Sequence, residues 1–261
     1  MNLSLPFGLF MGAGIIIWAI VQEISNPMIF TNVHAIAIVI GGTTAAAMVC
    51  FPFKHILSIM RIMFKASTGG FQKETIGTIN EIVELSQMMV EDKPLEEAIA
   101  KVRSPFLRES LQLAVDGTIP DNELEAVLFK RVEIQNEKYK QEGITYKIIG
   151  KFPPAFGLIG TTLGMISLLQ GLGGESAFEK LGPAMSVSLT ATFYGLVVAN
   201  LFLIPIGENL SFASQHDLTR RRIIVEGVML LKHRKHPLIV EECLKSYLSP
   251  ADRNQMKKVD I

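Results

Sequence analysis

The stretch KFPPAFGLIGTTLGMISLLQGLGG, Lys151–Gly174, opens with two adjacent prolines and then runs apolar for the thickness of a membrane. Beyond Lys151 it has no charge, and crossing a hydrocarbon core takes about 20 apolar residues. Lipid offers the backbone no hydrogen bonds, so a spanning segment must be a helix or part of a closed barrel. An uninterrupted apolar run fits the helix. Yet this run is rich in glycine and carries a threonine pair, Thr161 and Thr162. Two questions follow: what the small and hydroxylated residues do there, and where a group that binds a passenger would be.

Three more runs share the apolar character: Leu3–Val21, Ile29–Phe53 and Leu181–Ile206. The second is interrupted only by Asn32, His34 and the small-residue stretch GGTTAAA. The fourth has Pro183 in its expected first turn, where a missing N–H costs little. The sequence therefore predicts an all-α polytopic membrane protein with four transmembrane helices. Residues 1–53 hold spans one and two, 54–150 a helical loop domain, 151–206 spans three and four, and 207–261 a tail. The short connections Gln22–Met28 and Gly173–Lys180 contain one basic residue, Lys180, whereas Lys54, Arg61, Lys65 and Arg220–Arg222 flank the other ends. By the positive-inside rule the loop, the tail and the N-terminus are expected in the cytoplasm.

Composition agrees. Of 261 residues 49% are hydrophobic and 19% charged, too apolar for an ordinary soluble domain and too charged for a chain lying wholly in lipid. Lys plus Arg equal Asp plus Glu at 25 each, so no nucleic-acid partner is indicated. Cys50 and Cys243 both fall in cytosol-facing stretches, which predicts neither a disulfide nor a metal site. MNLSLPF lacks the basic start of a cleaved signal, so the first span is expected to stay.

The loop reads as amphipathic helices. In PDNELEAVLFKRVEIQNEKYKQEG, Leu124, Leu128 and Val132 recur every four residues, and Pro120 with Asp121 forms a start signal. Gln72–Met89 and Pro105–Val115 look similar, the latter stopped by Asp116-Gly117; Arg220–Leu231 repeats the pattern before Pro237.

Small-xxx-small pairs such as Gly160–Gly164, Gly42–Ala46 and Gly195–Ala199 let membrane helices approach closely, and plain helix packing is the simplest account of any one pair. Hydroxyls are different. Thr161, Thr162, Ser167, Ser186, Ser188, Thr190, Thr192 and Tyr194 gather in spans three and four. Any one can bond back to its own helix, but their concentration points to a hydrated or partner-facing surface. No span has an Asp, Glu, Lys or Arg in its interior, although an ion path normally keeps one despite a cost of at least ~2.5–3.5 kcal/mol. Either the chain conducts nothing or a partner supplies the carboxylate.

PPAFGLIGTTLGMI followed by LGPAMSVSLTATFYGLVVANLFLIPIGENLS resembles the flagellar motor stator A subunits, the MotA/PomA family, relatives of TolQ and ExbB. The similarity extends over the whole chain through LQLAVDG and RRRIIVEGVMLL, and four spans rather than three favour the stator branch. The resemblance implies a ring of A subunits, a pentamer, around a dimer of MotB-like single-span, peptidoglycan-binding subunits whose Asp carries the ion. The A subunit's loop would meet a FliG-like rotor switch protein.

On that resemblance Pro154 and Pro205 are gating prolines at the two helix ends, where the plain alternative is a kink. Thr161 matches the position linked to ion passage. Thr192 matches the second of two adjacent threonines in sodium-driven members, with Ala191 in place of the first. Ala-Thr favours protons, while Thr190 keeps a sodium-driven, PomA-type stator open. Thr161, Thr162, Thr190, Ala191 and Thr192 are thus the expected ion-path or partner-facing set. PLEE puts Glu96 at the family's rotor-contacting Glu, but its Arg has no counterpart near Val90. Lys93, Lys101, Arg103 and Arg108 are the substitutes.

No enzyme motif is present: no P-loop, nucleophile elbow or His/Cys cluster. No cofactor is expected. The basic run HRKH, His233–His236, fits a membrane-surface or partner contact better than a metal. Two other readings stay open. One is an ExbB- or TolQ-like energiser of another envelope process; the other is a scaffold whose threonines only pack.

Overall fold

The computed structural model of the chain describes residues 4–23, 27–52, 71–90, 99, 102–171 and 177–253, and every regular element among them is helical. Helix α1 is Ser4–Glu23; a 3-10 turn, Pro27–Phe30, leads to α2, Val33–Cys50, which contains a π turn at Ala37–Gly41. Helices α3 (Phe71–Val90), α4 (Pro105–Val115), α5 (Asp121–Ile149) and α6 (Phe152–Gly171) follow. Helix α7 (Ala177–Val197) passes through a second π turn, Val198–Leu203, into α8 (Ile204–Lys232), before α9 (Pro237–Lys245) and α10 (Pro250–Arg253). Four helical stretches among the described residues are long and apolar enough to cross a membrane, where the four runs predict them.

Local chemistry sets the boundaries. Asn32, in sequence an interruption of span two, is the N-cap of α2: its side chain accepts from the amides of His34 and Ala35 at 3.1 and 3.2 Å. Ser104 caps α4, with Pro105 in the first position, where it gives up no bond. That helix stops at Gly117, whose φ of 63° is the left-handed conformation glycine adopts without strain. One expectation is corrected. Span four was expected to begin at Leu181, but α7 begins at Ala177, so Pro183 lies inside the helix and not in its first turn. Apolar content marks where lipid begins, whereas a helix needs only backbone geometry and continues through Glu179 and Lys180.

The chain divides into two compact units, residues 1–69 with 140–211 and residues 70–139 with 212–261; α5 and α8 each contribute to both. The second unit is apolar inside. Ile79, Ile82, Leu107, Leu111, Leu124, Leu128, Ile223, Ile224, Val228, Leu231, Val240 and Leu244 share one core, so the loop and the tail bury their faces together. Each such side chain contributes about 1.5–3 kcal/mol when it leaves water.

The first unit is apolar outside. Phe7, Phe10, Ile15, Ile17 and Trp18 of α1 are more than half exposed, as lipid-facing residues should be. Lipid tails are as apolar as leucine, so burying leucine drives nothing here and close backbone packing must hold the helices. The glycines provide it. Gly42 packs under the Phe156 ring and Gly12 under Leu201, where an added Cβ would come within 2.2 and 2.5 Å.

Candidate functional site

The site lies on the seam between α6 and α7. Gly157, Gly160 and Gly164 recur at spacings of three and four, which puts them on one helix face, and all three are buried. A Cβ on Gly157 would meet the Ala191 carbonyl at 2.9 Å, one on Gly160 the Ala191 methyl at 2.5 Å, and one on Gly164 the Ser188 hydroxyl at 2.0 Å. Gly195 sits against the Pro153 carbonyl in the same way, at 2.5 Å. This explains Gly157, Gly160 and Gly164 of the Lys151–Gly174 stretch. They bring the α7 backbone and its short polar side chains within hydrogen-bond reach.

Thr161 and Thr192 then meet hydroxyl to hydroxyl. Thr161 Oγ1 is also 3.1 Å from the carbonyls of both Gly157 and Ser188, and Thr192 Oγ1 is 3.5 and 3.4 Å from the same two. Only two hydroxyl protons serve the pair. One hydroxyl donates to the other, and the second donates to a backbone carbonyl. Ser188 extends the network, donating toward the carbonyls of Thr161 at 3.3 Å and Ala184 at 3.1 Å. Such a cluster can solvate a cation or orient a water. It cannot carry a proton by itself, because no member is ionisable.

The remaining members of the expected set separate. Thr162 is exposed and its hydroxyl donates back to the Ile159 carbonyl at 2.8 Å. Thr190 is buried, and two residues from Thr192 on a helix is a rotation of about 200°, so it faces away from the Thr161–Thr192 pair. Ala191 is fully enclosed with Ala35 and Val39. These two are therefore walls of the chain's own packing, while Thr161, Thr162 and Thr192 keep accessible surface.

Toward the other end of the seam both antiparallel segments are interrupted at one level. Helix α5 ends at Ile149 because Pro153 and Pro154 lack the amides that would bond the carbonyls of Ile149 and Gly150. Beside this break runs the π turn Val198–Leu203, followed at once by Pro205, which denies an amide to the Leu201 carbonyl. The two defects touch: Gly150 abuts Ile204 and Leu203, and Gly195 abuts Pro153 and Pro154. One turn further, Lys147 pairs with Glu208 at 3.0 Å, and Gly143 crosses Gly207 with backbone almost in contact. The pair is largely exposed and holds the crossing by no more than about 1 kcal/mol. Sequence reading passed over this crossing because Gly143 and Gly207 are isolated and the contact is not local.

Of the rotor-contact candidates, Lys93 and Glu96 lie outside the described residues, as does Lys101. The Arg108 guanidinium is turned back onto the Val102 carbonyl. Arg103 is exposed, and its amide donates to Glu81 at 2.5 Å.

The comparisons with known proteins agree with this architecture. Residues 98–223 match the model of the MotA/TolQ/ExbB proton channel family. The chain is 32% identical over 218 residues to motility protein A of Aquifex aeolicus, covering 82% of this chain and 84% of that protein. It is 29% identical over 258 residues to chemotaxis protein PomA of Vibrio alginolyticus, 97% of this chain and 98% of that one. The fold is that of the flagellar MotAB stator complex from Bacillus subtilis, with a TM-score of 0.82 at 24% identity over 97% of this chain and 98% of that one. The chain belongs to the MotA/TolQ/ExbB proton channel family, in its motility protein A branch.

Proposed function

We propose that the chain is the A-type subunit of a flagellar stator, forming with a MotB-like single-span partner an ion path whose flow turns a rotor. The observation that carries this reading is the Thr161–Thr192 pair: a hydrogen-bonding site inside a membrane unit whose span interiors hold no Asp, Glu, Lys or Arg. A site that can solvate a passenger and cannot ionise calls for a carboxylate in trans, and a partner-helix Asp beside Thr161, Thr162 and Thr192 meets that need. Ion entry would then change the charge next to the seam. The facing defects at Pro154 and Pro205 are where the helices can bend in response, which gives the two prolines their gating role.

The driving energy is about 2.3 kcal/mol per charge per 100 mV. To use it, several copies must surround the partner, and a pentameric ring is the assembly we infer. The loop and tail unit lies in the cytoplasm on the positive-inside rule and meets the FliG-like rotor protein there, through Arg103 and, beyond the described residues, Lys93 and Glu96. We infer protons as the coupling ion. Ala191 removes one hydroxyl of the sodium-type pair, and Thr190 faces away from Thr192 and does not replace it.

The test is co-expression of the chain with its single-span partner in a stator-less motile bacterium. Swimming speed is followed as the proton gradient is collapsed, with and without sodium. Speed that tracks the proton gradient supports the proposal, and dependence on sodium overturns the ion assignment alone. Assembly and ion flux without rotation would move the chain to the energiser of another envelope process.

A further inference from the structure

The turn between α8 and α9 presents an exposed basic surface. Helix α8 closes with the Lys235 amide bonded to the Leu230 carbonyl at 3.1 Å and the Arg234 amide to the Leu231 carbonyl at 2.9 Å. That is a Schellman closure, whose left-handed position is glycine's by preference. Here Arg234 occupies it, with φ 48°, the one non-glycine at positive φ among the described residues. Glycine would make the same turn without strain, so the strain accompanies a side chain that glycine lacks. His233, Arg234, Lys235 and His236 are all exposed. Neither Arg234 nor Lys235 has a carboxylate partner among the described residues; the neighbouring Glu241 and Glu242 are taken by Lys245. Leu238 and Ile239, on the outer face of α9, add exposed apolar surface at 39% and 50%.

We infer that this turn is a docking site for an acidic protein surface, with Arg234 as its principal anchor. A hydrogen-bonded turn that leaves Arg234 exposed suits bidentate pairing of its guanidinium with a carboxylate. Anionic lipid fits less well. Sequences that recognise it cluster about four to eight Lys and Arg. Here only Lys232, Arg234 and Lys235 carry permanent charge, and Lys232 is engaged within the chain. A zero net charge argues against nucleic acid. On the stator reading the partner is the rotor-side protein, and only that identification rests on the reading.

The experiment uses the full chain with its partner subunit and the variants Arg234→Gly, Lys235→Ala and their combination. Arg234→Gly separates folding from docking, because it relieves the left-handed residue and should raise thermal stability while removing the anchor. Binding of a fluorescent polyglutamate peptide to the purified complex should weaken about 10- to 100-fold in the double variant, the worth of a lost charge-assisted hydrogen bond. It should also weaken with salt. In cells, ion flux should persist while rotation falls. Unchanged peptide binding and rotation would overturn the inference. So would Arg234-dependent binding to phosphatidylglycerol vesicles stronger than to the peptide, which would make the turn a membrane contact. Wild-type complex that conducts without rotating would sink the stator reading, while the peptide measurement would still decide the site.

Discussion

Thr161 and Thr192 hydrogen-bond to each other across the α6–α7 seam, so the two hydroxyls act as a pair and not as two independent sites. Replacing either by valine keeps the shape and removes one proton, leaving the other hydroxyl to fall back on the Gly157 or Ser188 carbonyl. The single changes should therefore be mild. In a double-mutant cycle the coupling between Thr161→Val and Thr192→Val should be about 0.6 kcal/mol and no more than about 1.7, the range for hydrogen bonds between membrane helices. Unfolding of the reconstituted chain gives the stability cycle, and ion flux in the assembled complex gives the functional one. Strictly additive effects in both would show that the pair is not a unit.

Space at the glycines separates those that pack from those that do not. A Cβ on Gly157 or Gly195 would strike backbone, the Ala191 and Pro153 carbonyls, which cannot swing aside. Gly227 in the second unit would strike Ile82 at 2.8 Å, while Gly77, in mid-helix, meets nothing within 4 Å. Alanine at 157, 195 or 227 should cost about 1–3 kcal/mol through overpacking. At Gly77 it should stabilise by about 0.5–1 kcal/mol, because alanine loses less entropy in a helix. Thermal unfolding of the four variants decides. Equal effects at Gly77 and Gly157 would mean the seam is not the close contact described.

Much of this was legible in sequence, and the reasons differ by element. The spans were readable because lipid imposes one demand on every residue of a segment. Leu124, Leu128 and Val132 were readable because a helix repeats its buried face every turn. The Thr161–Thr192 bond was not, since it depends on the register of two helices and Gly164 sets that register by making room for Ser188. Pro183 was misplaced because hydropathy and helix boundaries answer to different physics. Arg234 was hidden too, because a left-handed residue is foreseen from sequence only when it is glycine or asparagine.

Lys245 and Glu241 form a nearly buried pair in α9, with the carboxylate 5% exposed and the ammonium 17%. Lys245→Met would leave the carboxylate enclosed without its partner. Such losses cost about 3–5 kcal/mol when burial is complete, so a value near or below the low end is expected here. Adding Glu241→Gln should recover most of it, because a neutral amide tolerates the site. Denaturant unfolding of the single and double variants measures both steps. A double variant as unstable as Lys245→Met would place the loss in packing and not in charge.

Tyr247 donates its hydroxyl to Glu226, tying the end of the tail to α8. The hydrogen bond, with lesser help from burial, pushes the phenol up to about 12 from its usual 10. The folded chain thus holds this proton more tightly than the unfolded chain. The stabilisation is complete below pH ~10 and disappears as pH rises toward 12. Tyr247 is more than a third exposed, so screening reduces its worth to about 0.5–1 kcal/mol at neutral pH. Tyr247→Phe should lose that amount at pH 8, and its stability should match wild type as pH approaches 12. Glu226→Gln should retain an acceptor without the charge, so its phenol should ionise earlier in an absorbance titration. A wild-type-to-Phe difference that stayed constant from pH 8 to 12 would show that the hydroxyl's role is packing and that its bond to Glu226 contributes nothing.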